Sequence, residues 1–298
     1  MAASQSSDVV RVSHLDTNVG YAVSNGKLDP SKPTFVLINS VCTTFELYRA
    51  QLDNQKLTSA VNLLAIEPLG HGRTTCSSEH FTYWDSALIA LQAMQALGVE
   101  KAYALGTSQG GWTVVRMALL APDRILGLIT LGTSMENESP ESRTKGCWDP
   151  PAFVPPFLEK WTSSTPTPDF VVGDDWIQAV LGLGFGSAAT PEVAEYWTES
   201  LRSVYSGDEG RRKLRMAVVA LTERDGLLLR VGDVKCPIHW LHGSLDAVYG
   251  TTVPKEHIEL FTGSKDAKLE FLEGGAHFLN ATHGTEVEDA ILAMATKA

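Results

Sequence analysis

The spacing of apolar residues predicts a β-hairpin at the start of the chain and an alternation of strands and helices after it. Short apolar runs at 9–15 and 20–24 flank a turn, which is typical of two paired antiparallel strands. Continuous apolar runs at 33–39 and 61–67 indicate strands that are buried on both faces. Strands and helices then alternate, so we expect a mostly parallel sheet with right-handed crossovers.

The same alternation supplies the other elements of an eight-stranded sheet flanked by helices. Segment 85–98 has apolar residues at helical spacing, with Asp85 as the expected N-cap and Gly98 as the expected C′ residue. The strands predicted after the first four are 101–106, 125–132, 237–243 and 267–275. The other helices predicted beside the sheet are 110–121, 255–263 and 285–298.

The alternation breaks between about residues 134 and 222, where three helical segments replace it. This stretch holds four of the seven tryptophans of the chain, and six prolines lie between Pro150 and Pro168. We interpret residues 134–222 as a helical lid inserted between two core segments, 1–133 and 223–298. The alternative is a set of surface helices with no gating role. The density of aromatic residues favours a lid that walls an apolar pocket.

Charge and cysteine content narrow the classes of function. The formal net charge is −11, and the densest basic cluster, 211–215, follows Asp208 and Glu209 and is interpreted as a solvated helix face. Nucleic acids and membranes are therefore not expected as partners. The four cysteines show neither paired nor metal-ligand spacing, and the first residues do not resemble a signal peptide. We expect free thiols, no metal and a cytoplasmic location.

The sequence Gly-Thr-Ser-Gln-Gly at 106–110 matches the G-x-S-x-G pattern between a predicted strand and a predicted helix. This pattern indicates a nucleophile elbow, a sharp turn that exposes the hydroxyl of Ser108. Gly106 and Gly110 are needed because neighbouring backbone passes too close for a side chain. The helix that follows directs its N-terminus at the site, which favours negative charge there.

A serine nucleophile needs a base and an acid that orients the base. Asp246 follows a predicted strand, and His277 follows the last one, so the order is serine, aspartate, histidine, as this architecture requires. Taken alone, each has an ordinary explanation, a helix cap for the aspartate and a surface loop for the histidine. The competing acids are Asp225 and Glu273, and the competing histidine is His242. The competitors are less well placed along the predicted strands.

Two backbone N–H groups should hold the oxyanion that forms in the transition state. The first is that of Gln109, which directly follows the nucleophile. The second is that of Val41, by its position in the loop after the third predicted strand.

These motifs together resemble the α/β-hydrolase superfamily. The resemblance rests on segments that follow one another in the order and spacing of that superfamily, namely 38–52, 66–74, 105–111, 121–125, 242–246 and 274–278. The loop that begins Asn39-Ser40, with Tyr48 further on, resembles that of the oxoadipate enol-lactonases. The resemblance implies the α/β-hydrolase fold and a lactone or ester substrate.

The sequence thus predicts a cofactor-free serine hydrolase that cleaves a small apolar ester or lactone through an acyl-enzyme on Ser108. One alternative is a cyclase or acyl transferase in secondary metabolism, in which an alcohol of the substrate itself captures the acyl group. A second is a ligand-binding receptor or scaffold on a hydrolase fold. Lyase chemistry on the same triad is a further alternative. The sequence is also compatible with a homodimer. The residues expected to line the substrate pocket are Cys42, Trp112, Trp148, Tyr249 and Phe278.

Overall fold

The computed structural model describes residues 8–296, and its centre is one sheet of eight strands in the order β1-β2-β4-β3-β5-β6-β7-β8. The strands are β1 Asp8–Val12, β2 Thr17–Val23, β3 Thr34–Ile38, β4 Asn62–Ile66, β5 Ala102–Thr107, β6 Ile125–Leu131, β7 Ile238–Gly243 and β8 Ala267–Leu272. β1 pairs with β2, and β2 with β4, in the antiparallel sense, whereas β3 to β8 run parallel to one another. The predicted hairpin and mostly parallel sheet are confirmed.

Both faces of the sheet are covered, which explains why its central strands are continuously apolar. Alternate residues of β3 point to opposite sides: Val36 and Ile38 belong to one core, and Phe35 and Leu37 to the other. These four side chains are at most 1% exposed. A strand between two cores has no polar face, so its sequence loses the alternation typical of a half-buried strand.

Helices flank the sheet on both faces. They are α1 Arg49–Asp53, α2 Gln55–Ala60, α3 Tyr83–Ala96, α4 Gln109–Leu120, α5 Pro140–Thr144, α6 Pro150–Phe153, α7 Pro155–Trp161, α8 Asp174–Phe185, α9 Pro191–Val204, α10 Gly207–Thr222, α11 Thr252–Ile258, α12 Leu279–Thr282 and α13 Gly284–Ala295. Within residues 8–296, none of the helices is long and apolar enough to cross a membrane.

The start of α3 differs from the sequence prediction. Thr82, rather than Asp85, is the N-cap, and Asp85 occupies the third helical position, where its carboxylate accepts the Thr82 backbone N–H. The two residues form a capping box, in which each side chain satisfies a backbone donor of the other. Gly98, with φ +75°, follows the helix in the predicted left-handed conformation.

Six helices, α5 to α10, lie between β6 and β7 in the chain, within the stretch predicted as a lid. They have a separate apolar cluster that includes Trp161, Trp176 and Trp197. Residues 140–222 form the helical segment. The domain boundaries and the gating role stay predictions, and residues 1–7 and 297–298, which the predicted core segments and final helix include, lie outside the described residues.

A buried ion pair joins the two chain crossings between the sheet and the helical segment. Glu138 lies just before α5 and Arg224 just after α10, their side chains form a salt bridge, and both side chains are 0% exposed. The Arg224 guanidinium stacks 4.2 Å from the ring centroid of Trp112 on α4. A buried charge without its partner would be strongly destabilising, so this pair ties the segment's two ends together.

Replacing Glu138 by alanine is therefore expected to lower the free energy of unfolding by about 3–5 kcal/mol, because Arg224 would be left buried and unpaired. Arg202→Ala is the matched control, since Arg202 pairs with Asp174 at the surface, and an exposed pair contributes less than about 1 kcal/mol. Urea unfolding of both variants measures the difference. Equal effects of the two substitutions would contradict a stabilising role of the buried pair.

Candidate active site

Ser108 lies at a sharp turn between β5 and α4. Its backbone has φ 56° and ψ −117°, an unusual conformation for a residue other than glycine. The Ser108 N–H donates to the carbonyl of Leu131 at 2.8 Å, which fixes the turn against β6. This strained strand-to-helix turn is the geometry of a nucleophile elbow.

The glycines on either side of Ser108 are required by close backbone contacts. A Cβ on Gly106 would lie 2.1 Å from the carbonyl of Gly110, and a Cβ on Gly110 would lie 1.9 Å from the carbonyl oxygen of Ile38. Any side chain at either position would push α4 away from β3 and β5. The fixed spacing of the motif therefore follows from the packing of this helix onto the sheet.

Asp246 and His277 form a hydrogen-bonded pair in loops at the ends of β7 and β8. His277 Nδ1 lies 2.8 Å from Asp246 Oδ2. The other carboxylate oxygen, Oδ1, accepts the backbone N–H groups of Val248 at 2.8 Å and Tyr249 at 3.0 Å. Since a carboxylate accepts on this side, Nδ1 of the ring carries the proton, and Nε2 is the nitrogen left for other partners.

The surroundings keep Asp246 ionised. Burial alone would raise the pKa of this carboxyl, but the charges of His277 and His242 and the hydrogen bonds from His277 and Tyr249 lower it further than burial raises it. The pKa of Asp246 therefore lies well below its usual range. An ionised carboxylate can orient an imidazole and stabilise its cation.

Gly132, at the end of β6, makes room for this pair and was not singled out from the sequence. A Cβ there would lie 2.5 Å from the His277 carbonyl oxygen and 3.0 Å from Asp246 Oδ2. Its φ of +49° adds a second reason for glycine. The only signal in the sequence is a glycine at a predicted strand end, which many strands share.

The competing residues have other partners. Asp225 accepts a hydrogen bond from Arg116 at 2.6 Å and one from the indole of Trp84 at 2.9 Å. Glu273 is exposed. His242 Nε2 donates to the carbonyl of Gly250 at 2.7 Å and lies 3.5 Å from Asp246. The geometry thus pairs Asp246 with His277, as the chain order predicts.

The two expected oxyanion donors lie beside Ser108, and within residues 8–296 neither N–H binds a backbone acceptor. Val41 lies in the loop after β3, and Gln109 is the first residue of α4. The Gln109 side chain donates to His71 Nε2 at 2.9 Å and accepts from the Tyr83 hydroxyl at 3.2 Å. Burial lowers the pKa of His71 to about 4, so its neutral ring can accept that bond.

Ser108 and His277 line the same cavity, which has a volume of about 50 Å³. Of the predicted site residues, Val41, Trp148, Tyr249 and Phe278 also line it. The other lining residues are Ser40, Phe153, Trp176, Ala179, Val180, Leu183, Gly184, Leu221 and Val248. Most of these come from the helical segment. The sequence predicted α8 as a helix, but helical spacing alone does not say which face would meet the serine.

Two residues predicted for the pocket lie elsewhere. Trp112 is fully buried in the core, where Arg224 and Arg116 stack on its ring, because its position on α4 faces away from the cavity. Cys42 lies behind the cavity wall, and its sulfur accepts the indole N–H of Trp176 at 3.4 Å. Burial raises the pKa of Cys42 to about 12, so this thiol is not a competing nucleophile.

Among the described residues, no hydrogen bond joins Ser108 Oγ to His277 Nε2, although both residues line one cavity. Serine–histidine hydrogen bonds are often long before a substrate binds and shorten in the complex. Ser108 is 4% exposed and His277 3%, so both groups are shielded from bulk water.

A family model described as alpha/beta hydrolase fold matches residues 33–160. The chain has the α/β-hydrolase fold. The match covers β3 to α7, and the triad candidates Asp246 and His277 lie beyond it. The fold that the sequence motifs imply is thereby confirmed.

Solved structures of the same fold match nearly the whole chain. They include a hydrolase from Pseudomonas aeruginosa (22% identity, 99% of each chain, TM-score 0.74) and a thermophilic esterase from Thermogutta terrifontis (16%, 99% of each chain, 0.75). An enol-lactonase from Burkholderia xenovorans is similarly close (18% identity, 96% of this chain and 100% of that one, TM-score 0.76). No relative is found among the curated proteins. At identities this low, the structural similarity shows that the fold is shared.

The depressed pKa of Asp246 predicts how acid affects stability. Since the folded pKa lies below the unfolded one, near 3.9, ionised Asp246 stabilises the fold above about pH 4, and this contribution is lost as the pH falls through the folded value. We expect wild type to exceed Asp246→Asn in free energy of unfolding at pH 6, and the difference to shrink below pH 4. Urea titrations at several pH values measure it, with Ser108→Ala as the control. A constant difference would contradict the prediction.

Proposed function

We propose that this protein is a serine hydrolase that cleaves a carboxylic ester or lactone through an acyl-enzyme on Ser108. One observation carries the proposal: the serine of a nucleophile elbow and a histidine bound to a buried carboxylate line the same cavity. The similarity in fold to an esterase and an enol-lactonase supports it. All groups that this route needs come from the chain itself.

In the first step, His277 Nε2 takes the proton of Ser108 as its hydroxyl oxygen attacks the carbonyl carbon. Asp246 holds the ring through Nδ1 and stabilises the imidazolium that forms. The imidazolium then gives its proton to the leaving alkoxide, and the acyl group stays on the serine. In the second step, His277 takes a proton from water as its oxygen attacks the acyl carbon. The bond between that carbon and Ser108 Oγ then breaks, the imidazolium returns its proton to Ser108 Oγ, and the acid is released.

The oxyanion is held by the backbone N–H groups of Val41 and Gln109. The N-terminus of α4 adds a partial positive charge at the same point, because the first N–H groups of a helix lack partners within it. The His71 and Tyr83 contacts fix the Gln109 side chain and so keep the start of the helix in place. Donors fixed before the reaction cost no reorganisation when charge develops.

Transfer of the acyl group to an alcohol is a second candidate function. It is favoured by the low exposure of Ser108 and by the aromatic and aliphatic walls of the cavity, which limit access of water. Product analysis in the presence of an added alcohol distinguishes the two. Free acid as the main product supports hydrolysis, and the new ester supports transfer.

Reaction with a fluorophosphonate tests the activated serine directly. We expect one covalent adduct on wild type by intact-protein mass and none on Ser108→Ala, whose turnover of 4-nitrophenyl acetate should fall at least about 10³-fold. Ser40→Ala is the control, because Ser40 is a second serine that lines the same cavity but lies on another loop, and it should keep the adduct. No adduct on wild type would argue for a receptor or scaffold. An adduct on Ser108→Ala would show that another residue is the reactive one.

A further inference from the structure

A second, larger space lies directly outside the site cavity. It is an open groove of about 550 Å³ between α6 and α8. The residues that line it are Trp148, Asp149, Ala152, Phe153, Gln178, Ala179, Gly182 and Leu183. The groove is thus larger and more open than the cavity that holds Ser108.

The groove and the cavity share one wall. Four residues line both spaces: Trp148, Phe153, Ala179 and Leu183. Ala179 and Leu183 are one turn apart on α8, so one edge of this helix borders both spaces. All four are partly exposed rather than locked in a core. Rotation of the Trp148, Phe153 and Leu183 side chains would connect the groove to Ser108 without any change in the sheet.

The size of the cavity limits what can bind beside Ser108. A volume of about 50 Å³ holds a few water molecules, which is enough for a reacting carbonyl and its immediate neighbours. The rest of a larger substrate must cross the shared wall into the groove. The walls of the groove are formed by Phe153, Ala152 and side chains of α8. These side chains are mainly apolar.

The charges of the residues that line both spaces indicate the kind of substrate. Neither set of lining residues contains a lysine or an arginine. The carboxylate of Asp149, in the groove, accepts the N–H of Ala152 at 3.3 Å and lies 3.6 Å from the guanidinium of Arg143. A carboxylate on the substrate would lose water without gaining a cation. These walls favour a neutral substrate over a small polar lactone that bears a carboxylate.

We propose, on the basis of the proposed hydrolase function, that the substrate is a neutral ester with an apolar chain, and that this chain passes the shared wall and lies in the groove. The reacting carbonyl binds beside Ser108, and the acyl or the alcohol chain extends between Phe153 and α8. The shared wall and the size of the groove set the chain length that the enzyme accepts.

Gly182 provides the test, because it is exposed on α8 at the groove and a Cβ there would meet no atom within 4 Å. Gly182→Leu fills part of the groove, and Gly182→Ala is the matched control. Substrates are 4-nitrophenyl acetate, butanoate and octanoate for the acyl chain, and ethyl and octyl acetate for the alcohol chain. Wild type should prefer the eight-carbon member of one series.

Gly182→Leu should lower kcat/KM for that eight-carbon ester about tenfold, as expected when two methylene groups lose their contacts. It should change the value for 4-nitrophenyl acetate less than about twofold, and Gly182→Ala should leave both within that range. The series that responds identifies which part of the substrate lies in the groove.

Three results would overturn the inference. The first is an unchanged chain-length profile in Gly182→Leu. The second is a wild-type preference for an anionic ester, such as 4-nitrophenyl hemisuccinate, over the neutral butanoate. The third is a changed molar mass of Gly182→Leu in solution with an unchanged profile, which would make the groove a contact between copies of the chain. If wild type does not hydrolyse 4-nitrophenyl acetate, that result would instead refute the proposed hydrolase function.

Discussion

The candidate site depends on how closely the backbone packs at the carboxyl ends of the central strands. The carbonyl of Ile38 on β3 lies where a Cβ of Gly110 would be, and the carbonyl of Gly110 lies where a Cβ of Gly106 would be. This contact brings the first turn of α4 onto the sheet and forces Ser108 into its strained conformation. The loop after β3, which supplies Val41, lies beside the same turn for the same reason.

A second close approach, at Gly132, brings Asp246 and His277 to the serine. Because β6 ends in a glycine, the loops after β7 and β8 can pass over its end. The Asp246–His277 hydrogen bond forms there, shielded from water. Burial would normally disfavour the charge on Asp246, but two histidines and two backbone N–H groups compensate for lost hydration. The packing at the end of the sheet and the electrostatics of the site therefore depend on the same contacts.

The helical segment lines the cavity with apolar side chains, and a buried polar pair lies at its two ends. Its tryptophans and phenylalanines pack mainly on one another and on α8, and α8 in turn lines the cavity. The Glu138–Arg224 pair lies where the segment joins the sheet. Apolar contacts are non-directional and permit small shifts of side chains, whereas a buried ion pair tolerates little displacement. The side chains that line the cavity can therefore shift more easily than the junction between the segment and the sheet.

The sequence by itself determined the order of strands and helices, the mostly parallel sheet and the elbow around Ser108. These follow from local patterns: continuous apolar runs, helical spacing, and glycines at fixed distances from a serine. The sequence also placed Asp246 and His277 at strand ends, and parallel strands bring such ends to one edge of the sheet.

Only the tertiary structure decided which side chains face the cavity. Trp112 and Trp148 are equally aromatic in the sequence, yet Trp112 is buried against Arg224 and Trp148 lines the cavity. The role of Gly132 and the groove beside Gly182 likewise depend on neighbours distant in the chain. The physical reason is that helical and strand periodicities fix faces relative to one another, whereas the direction of each face is fixed by packing.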